Sequence, residues 1–221
     1  MNINSKKAIL LITSTIIIVA LLVAIIYSIP SKSNNDFLSI EEITELRNEY
    51  PTYNNGPALV SSIPLSFQEL IEGADSVIIA QVEEQLPNYE IILSVTSEAE
   101  KAIHKKNGSD QKEPFVQYKL SVDKVISGDS VDSEIMLAHN ALLIGSEPEL
   151  KPGMKLILGV VKGVGSHEGK YFYAKSGTYY IVNDSYVLST FDDETSKLMS
   201  GGTLEKLIST IKTLRKNSSQ N

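Results

Sequence analysis

Histidine and acidic side chains are the first candidates for chemistry in this chain, because they bind metals and exchange protons near neutral pH. The sequence contains three histidines, at positions 104, 139 and 167, and no cysteine. No histidine has a metal-ligand partner at the spacing of a motif such as H-E-x-x-H. His167 and Glu168 lie between glycines, which predicts an exposed hairpin loop. His139 and Asn140 end a predicted strand and are therefore better placed to meet a ligand.

Known catalytic and nucleotide-binding motifs are missing from the sequence. It contains no G-x-S-x-G elbow, Walker loop or G-x-G-x-x-G run. The acidic run 192–194 lacks the alternating ligands and bend glycine of a calcium loop, so we interpret it as a solvated surface. The sequence therefore predicts no catalytic, cofactor-binding or metal residues, although carboxylates brought together by the fold would escape a search by motif.

Tyrosines are concentrated in the C-terminal strands and suggest a ligand surface. Aromatic side chains there would stack on a sugar or a peptide, but tyrosine is also common as a packing residue in strands. Together with the end of the histidine-bearing strand, they complete the set of candidate ligand-surface residues: His139, Asn140, Tyr171, Tyr173 and Tyr179.

The N-terminus carries the clearest signal for location. Lys6 and Lys7 precede twenty uncharged residues, 8–27, and a helix of that length spans the hydrocarbon core of a bilayer. The basic flank predicts a cytoplasmic N-terminus and an extracellular C-terminal domain in a single-pass protein. The alternative is a cleaved signal peptide, which needs a shorter apolar region and small residues at the cut. We therefore assign residues 1–29 to a cytoplasmic tip and transmembrane signal-anchor.

The charge balance limits the partners of the exported part. The chain has 20 basic and 27 acidic residues, a net charge of −7. Such a surface repels phosphate backbones, so we expect no nucleic-acid binding and no docking on anionic lipid beyond the anchor itself. Without cysteine, the stability of the domain depends on apolar burial.

Helix signals flank the predicted central domain. Residues 30–64 are interpreted as a juxtamembrane linker with one short helix, because Ser39 and Glu42 form a capping-box pattern. Ser66 and Glu69 repeat that pattern at the start of the domain. Residues 191–221 contain a linker, an amphipathic helix that begins near Thr203, and a polar tail.

The region 65–190 shows the alternation of β-strands. Predicted strands include 77–82, 89–95 and 116–126, followed by shorter ones up to residue 188. In the strand 116–126 the alternation slips at Asp123 and Lys124, which predicts a bulge or sharp bend. Bent long strands allow a small sheet to close into a barrel. We therefore predict a mainly β, α+β fold with flanking helices.

The order of helix, strands and turns resembles two groups of proteins. Segments that carry the resemblance are 66–80, the strand end Val-Ile-Ser-Gly-Asp at 125–129, Leu-Lys-Pro-Gly-Met-Lys-Leu-Ile-Leu at 150–158 and the late helix 203–208. One group comprises membrane-anchored surface proteins of Gram-positive bacteria. The other comprises netrin modules and tissue inhibitors of metalloproteinases, whose OB-type barrels imply a five- to seven-stranded antiparallel OB-like barrel here. Those inhibitors chelate metal through an N-terminal cysteine, so no functional residue transfers to this chain.

These observations favour a membrane-anchored extracytoplasmic protein with a non-catalytic binding domain. Its expected partners are the lipid bilayer, through residues 8–27, and another envelope protein or a peptide. An envelope enzyme or protease-inhibitor-like domain is one alternative. A structural accessory subunit of a membrane complex is another.

Overall fold

The structure is a computed structural model that describes residues 36–53, 65–92, 112–143 and 147–218. These residues belong to one compact unit, Asp36–Asn221. The predicted anchor at 8–27 lies outside the described residues, as does most of the segment 97–113, which is rich in charged residues. Among the helices of the described ranges, none is both long enough and apolar enough to cross a bilayer.

The fold is mainly β, with a seven-stranded sheet and flanking helices. The α-helices are α1 (Ile40–Leu46), α2 (Phe67–Gly73), α3 (Glu194–Lys197) and α4 (Leu204–Ser218). The strands are β1 (Ser76–Ile92), β2 (Lys112–Gly128), β3 (Glu134–Asn140), β4 (Lys155–Lys162), β5 (Lys170–Tyr173), β6 (Tyr179–Val182) and β7 (Tyr186–Ser189).

Five of the strands pair in a closed ring. The strand β1 pairs with both β2 and β4, β2 pairs with β3, and β5 joins β3 to β4. The hairpin of β6 and β7 extends the sheet from β4. The pair β3–β5 is parallel, whereas the sequence predicted an entirely antiparallel sheet. The difference arises because the chain crosses through β4 between these strands, so β5 runs in the same direction as β3.

The bulge predicted in the strand 116–126 is confirmed. Ile79 pairs with Lys124 and Ala80 pairs with Val122, which leaves Asp123 as the extra residue on β2. An extra residue bends its strand and increases the local twist. The strand β2 therefore curves at the position where the alternation of the sequence slipped.

The first strand is longer than the sequence predicted. Two separate strands, 77–82 and 89–95, were expected, but one continuous strand runs through the polar stretch between them. Register shifts between Val82 and Glu84 and between Leu86 and Tyr89 let this stretch stay paired with β2. The two strands thus remain paired from Ser76 and Gly128 to Ile92 and Lys112.

Side chains on opposite faces of the sheet form two apolar cores. On β4, Leu156 and Leu158 belong to one of them, which we call the inner core. Ile157 between them belongs to the other, which we call the outer core. The outer core is covered by α2 and α4, through Phe67, Ile71, Leu207 and Ile211. The amphipathic C-terminal helix therefore packs on the domain through its apolar stripe.

The short helix α1 is bonded to the sheet through its C-terminal end. The guanidinium of Arg47 donates to the backbone oxygen of Ser189 at 2.7 Å and to the hydroxyl of Ser200 at 3.1 Å. Burial lowers the pKa of Arg47. Residues 36–53, which the sequence placed in a linker, therefore belong to the compact unit that begins at Asp36.

Candidate functional site

His139 lies at the end of β3 with only 9% of its surface exposed. Its ring is nearly parallel to that of Tyr118 at 6.2 Å and perpendicular to that of Tyr173 at 6.3 Å. Its Nδ1 donates to the backbone oxygen of Asn140 at 3.2 Å. Burial lowers the pKa of His139. The imidazole is therefore buried at the end of β3, and its burial favours the neutral form.

Glu147 lies next to Tyr173. We call Tyr118, His139, Glu147 and Tyr173 together the mouth cluster. Burial raises the pKa of Glu147 to about 7, an effect that Lys175 partly opposes. The Tyr173 hydroxyl is buried without a hydrogen bond of normal geometry, although it lies close enough to Glu147 for each to perturb the pKa of the other. Burial is the main reason that the pKa of Tyr173 is well above its usual range.

The other candidate residues have structural surroundings. The Asn140 amide donates to the Glu113 carboxylate and accepts from the backbone N–H of Leu142 at 2.8 Å. It thereby fixes the short 3₁₀ turn that follows β3. Tyr171 is half-buried on β5 and packs against the inner core. Tyr179 is completely buried at 0% exposure and is a residue of the outer core rather than of a ligand surface. Among these candidates, His139 and Tyr173 come from different strands and their rings contact each other.

A second group of aromatic side chains gathers residues that the sequence did not connect. The His167 ring lies edge-on to the rings of Phe115 and Phe172, at centroid distances of 4.6 and 4.9 Å. Its Nδ1 is 2.9 Å from the Tyr89 hydroxyl. Tyr89 stacks on Phe115 at 5.2 Å, and the Lys170 ammonium lies 4.6 Å from the Tyr89 ring centroid. We call Tyr89, Phe115, His167 and Phe172 the aromatic cluster.

The loop 163–169 between β4 and β5 positions His167. The loop was predicted as an exposed turn, and most of its residues are exposed, yet the His167 side chain is half-buried. Gly163 permits the close fold-back of this loop, because a Cβ there would lie 2.3 Å from the backbone oxygen of His167. Sequence reasoning missed the cluster because its members come from β1, β2, this loop and β5.

Two exposed aliphatic residues lie within three chain positions of a member of the aromatic cluster or of its strand partner. Leu142 is 68% exposed and follows Asn140, which pairs with Phe115 on the neighbouring strand. Val164 is 80% exposed, and its backbone oxygen accepts from the His167 N–H at 3.1 Å. We call these two residues and the aromatic cluster the outer face. Exposed apolar side chains that form a contiguous patch mark interaction surfaces more often than single ones do.

The acidic run 192–194 serves the local structure. Asp192 pairs with Lys197 at 2.8 Å, and Asp193 caps α3 by accepting from the Ser196 N–H at 2.6 Å. Within the ranges that the structure describes, histidine, cysteine, aspartate and glutamate form no group of three that could hold a metal ion.

Comparison with protein-family models and with curated proteins gave no match.

Proposed function

We propose that this protein is a single-pass membrane protein that displays an OB-type barrel outside the cell as a non-catalytic binding module. The strand order β1-β2-β3-β5-β4-β1, with β3 and β5 parallel, supports the OB-type assignment and its resemblance to netrin modules. OB folds bind ligands on the face of their second and third strands and in the loops that flank it. The outer face occupies that region here, because Phe115 lies on β2 and His167 lies in the loop between β4 and β5.

The membrane location is supported by the N-terminal sequence. Residues 8–27 form an uncharged stretch of bilayer-spanning length, and two lysines precede it. Such an arrangement keeps the short N-terminus in the cytoplasm and exports the remainder of the chain.

The proposed ligand is a segment of another envelope protein, bound through apolar side chains. Sugar-binding platforms need an aromatic ring with an accessible face, but Tyr89 already engages Phe115 and Lys170 with its ring. The exposed side chains of Leu142 and Val164 instead suit aliphatic contacts with a polypeptide. The net charge of −7 disfavours nucleic acid.

A non-catalytic role is supported by the surroundings of the most reactive side chains. His139 is 9% exposed and bonded through Nδ1 to the backbone, so a substrate would not reach it without displacing its neighbours. His167 is engaged with Tyr89 through its own Nδ1.

The observation that carries this proposal is the exposure of Leu142 and Val164, which lie within three chain positions of the aromatic cluster or of its strand partner Asn140. A photo-crosslinking amino acid, p-benzoylphenylalanine, placed at either position in the full chain in intact cells should yield a discrete protein adduct. The exposed positions Lys124 and Lys151 serve as controls and should yield none. The substitution Val164→Asp should abolish the adduct formed from position 142. Equal adducts from all four positions, or none from positions 142 and 164, would contradict a partner on the outer face.

A further inference from the structure

A cleft of about 590 Å³ lies between the segment that follows α1 and the turn that precedes β4. One wall consists of Asn48, Glu49 and Tyr50, and the other is the run Lys-Pro-Gly-Met at 151–154. Met154 is only 6% exposed and belongs to the inner core, so it offers an apolar surface inside the cleft. Sites for small molecules have volumes in this range and combine apolar surface with a few polar groups.

Contacts with the sheet hold both walls in place. The Arg47 guanidinium, which also donates to β7, donates to the backbone oxygen of Tyr50 at 3.1 Å. The Tyr50 ring packs against the Tyr180 ring at a centroid distance of 5.4 Å. On the other wall, the Gly153 N–H donates to the backbone oxygen of Val82 at 2.8 Å. The cleft is therefore formed before a ligand arrives, and binding does not have to order its walls.

Opposite charges stand on the two walls of the cleft. Glu49 lies on one wall and Lys151 on the other, and neither takes part in an ion pair within the described part of the chain. Burial is the main cause of the raised pKa of Tyr50 and Glu49 is the next, which places the Glu49 carboxylate beside the Tyr50 hydroxyl. Asp184 also acts on Tyr50, but it is paired with Lys155 at 2.9 Å. The cleft thus offers one carboxylate and one ammonium for ion pairs with a ligand.

We propose that this cleft binds a short peptide with free termini, whose ammonium group pairs with Glu49 and whose carboxylate pairs with Lys151. The body of the peptide contacts Met154 and Pro152. Clefts of this volume hold drug-sized molecules, which favours two or three residues over a single amino acid.

The peptide site is separate from the outer face and does not depend on the membrane anchor. The cleft lies before the first residue of β4, whereas Val164 of the outer face follows the last one. The eight residues of this strand span roughly 26 Å. Failure of this proposal would therefore leave the proposed partner of the outer face untouched, and the reverse also holds.

Calorimetric titration of the full chain in detergent with trialanine tests the site. Trialanine should bind saturably, and its doubly capped form, N-acetyl-trialanine amide, should bind roughly tenfold more weakly because both ion pairs are lost. Glu49→Gln and Lys151→Gln should each weaken the binding of trialanine about three- to fivefold. Glu45→Gln and Lys124→Gln make the same changes in charge at exposed positions outside the cleft and should leave the affinity unchanged.

Peptides capped at one end test the direction of binding. N-acetyl-trialanine has no ammonium group, so Glu49→Gln should not weaken its binding further, whereas Lys151→Gln should. Trialanine amide should show the reverse pattern. The absence of saturable binding, equal affinities of the free and doubly capped peptides, or equal effects of the cleft and control variants would overturn the peptide site.

Discussion

Replacing Gly128 with alanine should destabilise the domain by about 3 kcal/mol or more, as measured by chemical denaturation. Gly128 has a positive φ of +92°, and a Cβ added there would lie 2.1 Å from the Asp75 backbone oxygen. That oxygen also accepts the Asp129 N–H at 3.0 Å. The substitution would therefore separate the end of β2 from the start of β1, where the five-strand ring begins.

Gly153 provides the matched control for this prediction. Its φ is +89°, nearly the same as that of Gly128, but a Cβ at this position would have nothing within 4 Å. Gly153→Ala should therefore cost only the backbone strain, about 1 kcal/mol. Equal losses of stability in the two variants would contradict the close approach of the strand ends.

Replacing Glu147 with glutamine should stabilise the domain by about 1–3 kcal/mol near pH 8 and have little effect near pH 4.5. Burial raises the pKa of Glu147 from 4.5 to about 7 in the folded state. Between pH 4.5 and 7 the folded protein therefore keeps a proton that the unfolded chain has already released. The contribution of Glu147 to stability is therefore present at low pH and is lost as the pH rises toward 7. Glutamine resembles the protonated carboxyl and has no such loss.

Comparing the wild type with Glu147→Gln at each pH separates the effect of Glu147 on stability from that of His139. The pKa of His139 is lowered by burial, so His139 costs stability as the pH falls below its usual value of about 6.5. That effect is common to the wild type and the Glu147→Gln variant. The exposed Glu149 is the control, and Glu149→Gln should leave the pH profile of unfolding unchanged. A difference between wild type and Glu147→Gln that does not vary with pH would contradict the buried carboxyl.

Features set by a few neighbouring residues were predictable from the sequence. Both capping boxes form, with Ser39 bonded to Glu42 and Ser66 bonded to Glu69. Asn183 and Asp184, residue types that favour turns, connect β6 to β7, and both have a φ of +51°. These features depend on side chains that contact their own backbone within three or four positions, so the local sequence contains the information.

Features set by distant residues were not predictable in the same way. Arg47 bonds Ser189 across 142 positions, and nothing in the sequence near either residue indicates this contact. The raised pKa of Glu147 depends on its burial beside Tyr173, a residue of β5 that is 26 positions away. His167 lies in a loop whose glycines correctly predict a turn, but its packing against Phe115 requires the closed arrangement of strands.

The candidate site was predicted only in part for the same reason. His139 and Tyr173 do meet, because β3 and β5 are neighbours in the ring. Tyr179 was chosen by residue type, yet it packs against Phe67 in the outer core at 6.3 Å. Alternation along a strand shows that two faces exist, but which face a helix covers depends on the tertiary fold.

Labelling of single cysteines tests the central claim most directly, because the native chain contains no cysteine. Ser5→Cys and Ser166→Cys lie on opposite sides of the predicted span, and Ser166 is exposed in the loop before β5. In intact cells, a membrane-impermeant maleimide should label the full chain carrying Ser166→Cys, and should label Ser5→Cys only after permeabilisation. Labelling of Ser166→Cys only after permeabilisation would contradict an exported domain held by an N-terminal anchor.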